Sequence, residues 1–160
     1  MSVLVRRAVA ADAGELARLR QLSLTCPAVP WTRPRAAPDG PWVKECQEAI
    51  EAMLRDQETA AAFVVDAEPG RLAACAMGLL LPRLPGPGSG KPFNGDISTV
   101  ATDPECRRRG YARAVVTALM DWMTVSGCKR ISLASSPEGE PLYASLGFAY
   151  DDPRMSWQAR

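Results

Sequence analysis

VATDPECRRRGYARAVV (residues 100–116) places three consecutive arginines directly before Gly110, at the point where a helical pattern begins. The apolar side chains that follow have the i, i+3, i+4, i+7 spacing of one helix face: Val115, Ala118, Leu119 and Trp122. This spacing predicts a helix over residues 109–126, with Gly127 as its C-terminal stop. A helix N-terminus carries partial positive charge and therefore disfavours cations. An anion bound between the arginines and the helix would remove this conflict.

Phosphate is an anion that suits this arrangement. The free N–H groups of a first helical turn and the guanidinium groups of Arg107, Arg108 and Arg109 all attract phosphate oxygens. Gly110 and Ala112 let a phosphate approach the backbone closely, because neither carries a bulky side chain. The stretch lacks the Gly-Lys-Ser/Thr of an NTPase loop and the GxGxxG of a dinucleotide site. The alternative is a turn whose arginines face water, and the position between a strand and a helix favours the phosphate site.

The remaining pattern predicts a mixed α/β domain that spans residues 1–160. The central sheet is expected to combine antiparallel N-terminal strands, a parallel strand-helix-strand unit and a C-terminal hairpin. The predicted strands are residues 2–7, 60–67, 72–81, 97–102 and 129–134, and the hairpin is residues 148–157. The other predicted helices begin near Asp12 and span residues 42–55 and 140–146. Two proline-rich loops, residues 26–41 and 82–95, interrupt this order.

Composition excludes several classes of partner. The chain has 19 Lys and Arg against 18 Asp and Glu, so a net charge of +1 gives no reason to expect nucleic acid. No window reaches the roughly 18 apolar residues of a membrane span, and no signal peptide is evident. Five scattered cysteines without a CxxC pair, and the absence of histidine, predict no metal site and reduced thiols in a cytoplasmic protein.

The quoted stretch resembles the acetyl-CoA-binding motif of the GNAT superfamily of N-acetyltransferases, in which Asp-Pro-Glu precedes Arg/Gln-x-x-Gly-x-Gly/Ala. PLYASLGF (residues 141–148) resembles the closing motif of that family, and the predicted order of elements is similar over nearly the whole chain. The resemblance implies the GNAT fold and the transfer of an acetyl group from acetyl-CoA to a primary amine by direct attack in a ternary complex. It implies no metal.

The resemblance also assigns cofactor-binding residues. Arg107, Gly110 and Ala112 fall on the pyrophosphate loop of the family. The residues with supporting roles there are Arg108, Arg109 and Tyr111. The segment Val100, Ala101 and Thr102 falls on the strand whose backbone pairs with pantetheine, as an added strand between splayed neighbours. Two positions depart from the family pattern: Ser136 replaces a frequent asparagine, and Cys106 replaces an aromatic residue.

Tyr143 falls on the general-acid position of the family. Its reference pKa of about 10 exceeds the value of about 8.5 for a thiol, so proton delivery to a departing thiolate is downhill. Without the motif, a core tyrosine with a satisfied hydroxyl is the competing interpretation. Asp96 is the candidate general base. The competing interpretation is that Asp96 is a surface acid that caps the start of a strand. Glu45 and Glu48 are further candidates.

No acidic run is present that would attract a polycation, so the sequence does not suggest a polycationic acceptor, and a small-molecule amine and a protein N-terminus are both open as acceptors. Trp31, Trp42 and Phe93 are candidate walls of an acceptor pocket. A homodimer is compatible with the resemblance, although no segment identifies an interface. Two rival functions are a non-catalytic acyl-CoA-binding module and a nucleic-acid-binding domain that uses the arginine cluster.

Overall fold

The computed structural model describes residues 3–25, 39–88 and 93–150. Within these ranges the chain forms, in order, β1 (Arg6–Arg7), α1 (Ala13–Leu24), α2 (Trp42–Arg55), β2 (Ala60–Glu68), β3 (Arg71–Pro82), β4 (Phe93–Thr102), α3 (Tyr111–Val125), β5 (Ile131–Leu133) and α4 (Glu140–Ser145). Short 3-10 helices at Ala10–Asp12 and Pro104–Cys106 precede α1 and α3.

The strands form one sheet in the order β1-β2-β3-β4-β5. Pairing is antiparallel from β1 to β4, and β4 pairs with β5 in parallel through the α3 crossover. The predicted mixed sheet with a parallel strand-helix-strand unit is therefore confirmed. The β2-β3 hairpin closes through Pro69-Gly70, with Glu68 opposite Arg71. This turn follows from the Glu-Pro-Gly-Arg sequence, since proline and glycine are the preferred central residues of a type II turn.

Two apolar clusters cover the two faces of the sheet. Helices α1 and α2 pack on one face with fully or nearly fully buried side chains, which include Leu16, Leu19, Ile50 and Leu54. Helix α3 packs on the other face through Val115, Val116, Leu119 and Met123. The helical spacing of these residues, together with a sheet apolar on both faces, accounts for the three-layer arrangement.

Some predicted boundaries differ from the structure. Strand β4 begins at Phe93 rather than at residue 97, because its first residues continue the antiparallel ladder with β3 as far as Pro82. Helix α3 begins at Tyr111 rather than at Arg109. Residues 148–150 are irregular, and residues 151–157 of the predicted terminal hairpin lie outside the described residues. Most of the first proline-rich loop, with Trp31, also lies outside them.

Buried Asp103 joins the end of β4 to α1 and β3. Its side chain is 2% exposed, and Oδ2 accepts hydrogen bonds from Arg18 Nη1 at 2.8 Å and Arg71 Nη2 at 3.0 Å. Oδ1 accepts from the Glu105 N–H at 3.1 Å. Burial alone would raise the pKa of Asp103, but hydrogen bonds from Arg71, the Glu105 N–H and Arg18 hold it at about 2. The carboxylate is therefore ionised at neutral pH.

Asp103→Asn is expected to lower the free energy of unfolding at pH 7 by about 2 kcal/mol. The pKa of Asp103 is about 2 in the folded chain, below the unfolded value of about 3.9. Its stabilising contribution is therefore complete above pH ~4 and is lost as the pH falls through about 2. Urea unfolding at several pH values measures this difference, and Asp121→Asn on the exposed face of α3 is the control. An equal deficit at pH 7 and pH 2 would contradict the assignment.

Candidate functional site

Strand β4 has a free edge over its second half. It pairs with β3 as far as Thr102, but with β5 only over residues 95–97. In the described part of the chain, no strand covers the β5-facing edge of residues 98–102. The Asp103 N–H donates to Ala73 O at 2.8 Å, towards β3. Because backbone direction alternates along a strand, the polar groups of Val100 and Thr102 point into the gap.

A β-bulge lies where β4 and β5 separate. Thr99 is opposite Met77 and Ile97 is opposite Gly78, so Ser98 is the extra residue. The bulge turns Ile97 towards α3 and Thr99 towards α1. Arg20 of α1 donates a hydrogen bond to the hydroxyl of Thr99 there. The bulge therefore changes which side of the strand each later residue presents.

The loop after β4 ends in two residues with left-handed backbone, Arg108 with φ of 64° and Gly110 with φ of 78°. Gly110 directly precedes α3, and the first hydrogen bond of the helix runs from the Ala114 N–H to Gly110 O at 3.1 Å. The N–H groups of residues 111–113 therefore have no partner within the helix. Glycine suits position 110 because a left-handed backbone strains residues that have a Cβ.

The three arginines of this loop have different surroundings. Arg109 donates from Nη2 to Glu105 O at 3.3 Å and borders a second, smaller cavity that also contains Arg71. Arg107 and Arg108 are exposed, and no described residue forms a hydrogen bond or an ion pair with either side chain. These two guanidinium groups are the ones available to an anion at the start of α3.

The closing motif gives α4 a Schellman C-cap. The Gly147 N–H donates to Ala144 O and the Phe148 N–H donates to Tyr143 O, both at 3.0 Å. Gly147 has φ of 91°, the left-handed conformation that this cap requires. The Phe148 ring meets the Tyr143 ring edge to face, with centroids 5.9 Å apart. The sequence LGF therefore ends the helix and orients Tyr143.

Tyr143 is half-buried, and burial raises the pKa of its hydroxyl. No described residue forms a hydrogen bond with that hydroxyl. The side chain therefore keeps its proton at neutral pH and has it available for a bound molecule. Ser136 lies just before α4, where its Oγ accepts a hydrogen bond from the Gly139 N–H at 3.2 Å.

A cavity of about 540 Å³ connects these features. The predicted site residues on its wall are Val100, Ala101, Thr102, Arg107, Arg108, Gly110, Tyr111, Ala112, Ser136 and Tyr143. Arg109 and Asp96 do not line it, and neither do Trp42, Phe93, Glu45 or Glu48. The structure therefore brings together predicted residues of the two motifs. Most of the candidate residues outside the motifs do not line the cavity.

The cavity also has walls that the sequence analysis missed. The last turn of α1 contributes Leu22, Ser23 and Leu24, and Arg113 and Glu138 lie on the opposite side. The sequence pattern placed the three α1 residues in the helix that begins near Asp12 and assigned them no role in a site. The sequence could have indicated Arg113 as a wall residue, because it lies in the first turn of α3, three residues after Gly110. Nothing in the sequence places the end of α1 beside β4.

The chain belongs to the acetyltransferase (GNAT) family, whose family model matches residues 16–148. The recognition of this family from the two motifs is confirmed, and the family carries out acetyl transfer. A comparison with curated proteins finds no match.

Solved structures with the same fold include three acetyltransferases. A predicted acetyltransferase from Clostridium acetobutylicum with acetyl-CoA is 20% identical, with a TM-score of 0.79 over 98% of this chain and 96% of that chain. Glucosamine-6-phosphate N-acetyltransferase from Arabidopsis thaliana is 19% identical, with a TM-score of 0.73 over 99% of each chain. An aminoglycoside N-acetyltransferase in complex with CoA is 18% identical, with a TM-score of 0.71 over 99% of this chain and 95% of that chain. At these identities the likeness shows the fold.

The described residues contain neither a membrane-spanning helix nor a cluster of metal-ligating side chains. None of the helices there has the length and apolar character needed to cross a bilayer. No group of three or more His, Cys, Asp or Glu side chains in the same ranges is placed to hold a metal ion. The expectation that no metal takes part stays a prediction.

Gly110→Ala is expected to lower the free energy of unfolding by about 1 kcal/mol, because alanine is strained in a left-handed backbone. Space is not the cause, since a Cβ at this position would meet no atom within 4 Å. Gly14→Ala is the matched control. Gly14 lies in α1, where a Cβ would make ordinary contacts with Gln47, so alanine is expected to stabilise the chain by about 0.5 kcal/mol. Thermal unfolding measures both changes, and equal signs would contradict the backbone argument.

Proposed function

We propose that this protein transfers an acetyl group from acetyl-CoA to a primary amine by direct attack in a ternary complex. One observation carries the proposal: a single cavity joins the free edge of β4, the unused N–H groups of α3 and the hydroxyl of Tyr143. Membership of the GNAT family supports acetyl transfer. A structural neighbour with acetyl-CoA supports that donor.

The loop before α3 has the chemistry to hold the pyrophosphate of acetyl-CoA. Arg107 and Arg108 supply guanidinium groups, and residues 111–113 supply N–H donors at the positive end of the helix dipole. Left-handed residues at 108 and 110 shape the backbone between them. Alternation of this kind creates concavities lined by N–H groups that bind anions. Ala112 leaves room for a phosphate because its side chain is a methyl group.

The gap beside β4 fits the pantetheine arm of acetyl-CoA. The backbone groups of Val100 and Thr102 face this gap, where pantetheine amides would pair with them as an added strand. A buried backbone N–H or C=O needs a hydrogen-bonding partner, and an amide-bearing arm provides donors and acceptors in series. Ser136 lies across the cavity on the approach to α4.

Acetyl-CoA supplies the acetyl group as a thioester. A backbone N–H of residues 100–102 is the proposed donor to the developing oxyanion. Tyr143 is the proposed general acid, because burial keeps its hydroxyl protonated and the side chain lies on the wall of the same cavity. Its proton would go to the departing thiolate sulfur, which is the weaker base.

The group that takes the proton from the amine stays a prediction. Asp96 lies on β4 two residues before the bulge at Ser98, but it does not line the cavity. Its carboxylate would therefore act on the amine only through bridging water. Glu138 is a carboxylate that does line the cavity, at the turn before α4.

The acceptor is proposed to be a small molecule with a primary amine, and a peptide N-terminus is the alternative. Two structural neighbours are named for glucosamine-6-phosphate and aminoglycoside acetylation, and both of those acceptors are small amines. The rival function is a non-catalytic acyl-CoA-binding module. The two functions differ in what Tyr143 contributes, since a binding module does not need an acid at the thioester.

Arg107→Ala is expected to weaken acetyl-CoA binding roughly ten-fold, because a hydrogen bond to a charged group contributes about 1.5 kcal/mol or more. S-acetylpantetheine lacks the pyrophosphate, so its affinity should not change. Calorimetry with both donors measures the difference. Arg55→Ala is the control, since Arg55 is exposed on α2 and pairs with Glu51. Equal acetyl-CoA affinity in the wild type and Arg107→Ala would place the pyrophosphate elsewhere.

Tyr143→Phe is expected to lower kcat about 100-fold while leaving the acetyl-CoA Kd unchanged, because only the acidic proton is lost. CoA thiol release with a panel of primary amines measures turnover. Tyr150→Phe is the matched control, since Tyr150 is exposed and its hydroxyl bonds to Glu140. Unchanged turnover in Tyr143→Phe would remove the general-acid role. Acetyl-CoA binding without turnover of any amine would favour the binding module.

A further inference from the structure

Residues 103–110, between β4 and α3, are called the cofactor loop below. Arg18 of α1 connects three elements near this loop, although it does not line the cavity. Glu15 holds its guanidinium through two hydrogen bonds, Nε to Oε1 and Nη2 to Oε2, both at 2.8 Å. Nη2 also donates to Leu72 O on β3 at 3.0 Å, and Nη1 donates to Asp103 Oδ2 at 2.8 Å. The guanidinium therefore links α1, β3 and the residue that directly follows β4.

Asp103 in turn holds the start of the cofactor loop. Its N–H continues the β3-β4 ladder, its O accepts the Cys106 N–H at 2.8 Å, and its carboxylate caps the 3-10 helix through the Glu105 N–H. Later contacts within the loop are longer: the Arg107 N–H to Pro104 O distance is 3.5 Å, and that from Arg109 Nη2 to Glu105 O is 3.3 Å. The closest contacts of the loop are therefore concentrated at Asp103.

This loop needs support because part of its backbone is unfavourable. Arg108 is the one non-glycine residue with positive φ in the described part of the chain. Such conformations cost about 1–3 kcal/mol each and persist only where the surroundings hold them. Arg71 also bonds to the Asp103 carboxylate, but its side chain is 44% exposed against 31% for Arg18. Arg18 is thus the less exposed of the two cations at Asp103, and it forms two further hydrogen bonds with Glu15.

We propose that Arg18 is a positioning residue for acetyl-CoA. It holds the Asp103 carboxylate in place, and through it the loop that presents Arg107, Arg108 and the N–H groups of α3 to the pyrophosphate. This inference rests on the proposed function. Arg18 itself touches neither the donor nor the acceptor. Its loss should therefore affect the pyrophosphate end of the donor and leave the pantetheine end unchanged.

The test is the affinity of full-length Arg18→Met for CoA and for pantetheine, measured by calorimetry. CoA binding is expected to weaken roughly ten-fold, as misplaced binding groups lose affinity, while pantetheine affinity stays at the wild-type value. In turnover, KM for acetyl-CoA should rise with kcat nearly unchanged. Arg18→Lys should restore part of the affinity, because one ammonium reaches a carboxylate but cannot form the forked contacts. If Arg18→Met folds poorly, the same affinities are measured with Arg18→Lys.

Arg6→Met is the matched control for a general loss of stability. Arg6 also bridges two carboxylates, those of Asp12 and Asp66, with Nη to carboxylate distances of 2.8 Å, and its side chain is 38% exposed. It lies at β1, and its side chain bonds to Asp12, Asp66 and Arg7 O rather than to any described residue of the cofactor loop. Arg6→Met is expected to lower stability and to leave CoA affinity unchanged.

Four outcomes would overturn the inference. CoA affinity in Arg18→Met equal to that of the wild type would show that the loop does not depend on Arg18. Equal weakening for CoA and pantetheine, or the same weakening in Arg6→Met, would show a general structural effect. Absence of CoA binding by the wild type would overturn the proposed function as well, and this result differs from the others because it needs no variant.

Discussion

Strand β4 has strand partners on both edges only over residues 95–97, and the site follows from this constraint. Beyond the bulge at Ser98, the sheet leaves the backbone groups of Val100 and Thr102 unpaired on one edge. A strand in the middle of a sheet does not leave such groups without partners, so the gap must contain water or a ligand with amide-like groups. The loop and the start of α3 then continue the same surface with positive charge. The separation of β4 and β5 thus produces the cavity in which acetyl-CoA binding is proposed.

Two sets of arginines differ in what surrounds them. Arg6, Arg18 and Arg71 each bond to two or more carboxylates and hold elements together. Arg107 and Arg108 have no hydrogen-bonding or ionic partner among the described residues. A partnered arginine stabilises the fold, whereas an unpartnered one beside a helix N-terminus is available to an anion. Within the first set, Arg18 and Arg71 both bond to Asp103, and the loop that carries Arg107 and Arg108 begins at this residue.

Short sequence patterns predicted most helices and strands, because the residues that start and end these elements lie within a few positions of each other. Helix α2 and strand β2 begin where predicted, since proline, glycine and apolar spacing act within a few residues. Strand β4 was predicted four residues too short, because Phe93 and Asn94 extend it through pairing with β3 rather than through their own propensity. Nine predicted site residues from the two motifs, together with Ser136, line one cavity, and their role in acetyl-CoA binding or catalysis stays a prediction. Asp96 and Arg109 lie off that wall, and no local pattern distinguishes them from their neighbours.

The amino-acid sequence alone was sufficient to identify the family and the order of the described elements, and it predicts an anion site from the residue types at the start of α3. These depend on spacing, turn residues and charge type within short segments. Tertiary structure was needed to show which carboxylate each arginine meets, where β5 leaves β4 and that the end of α1 forms a wall of the cavity. Arg18 and Asp103 are 85 residues apart in the chain and 2.8 Å apart in the fold. Such contacts depend on how the layers pack, because sequence separation places no limit on spatial distance in a folded chain.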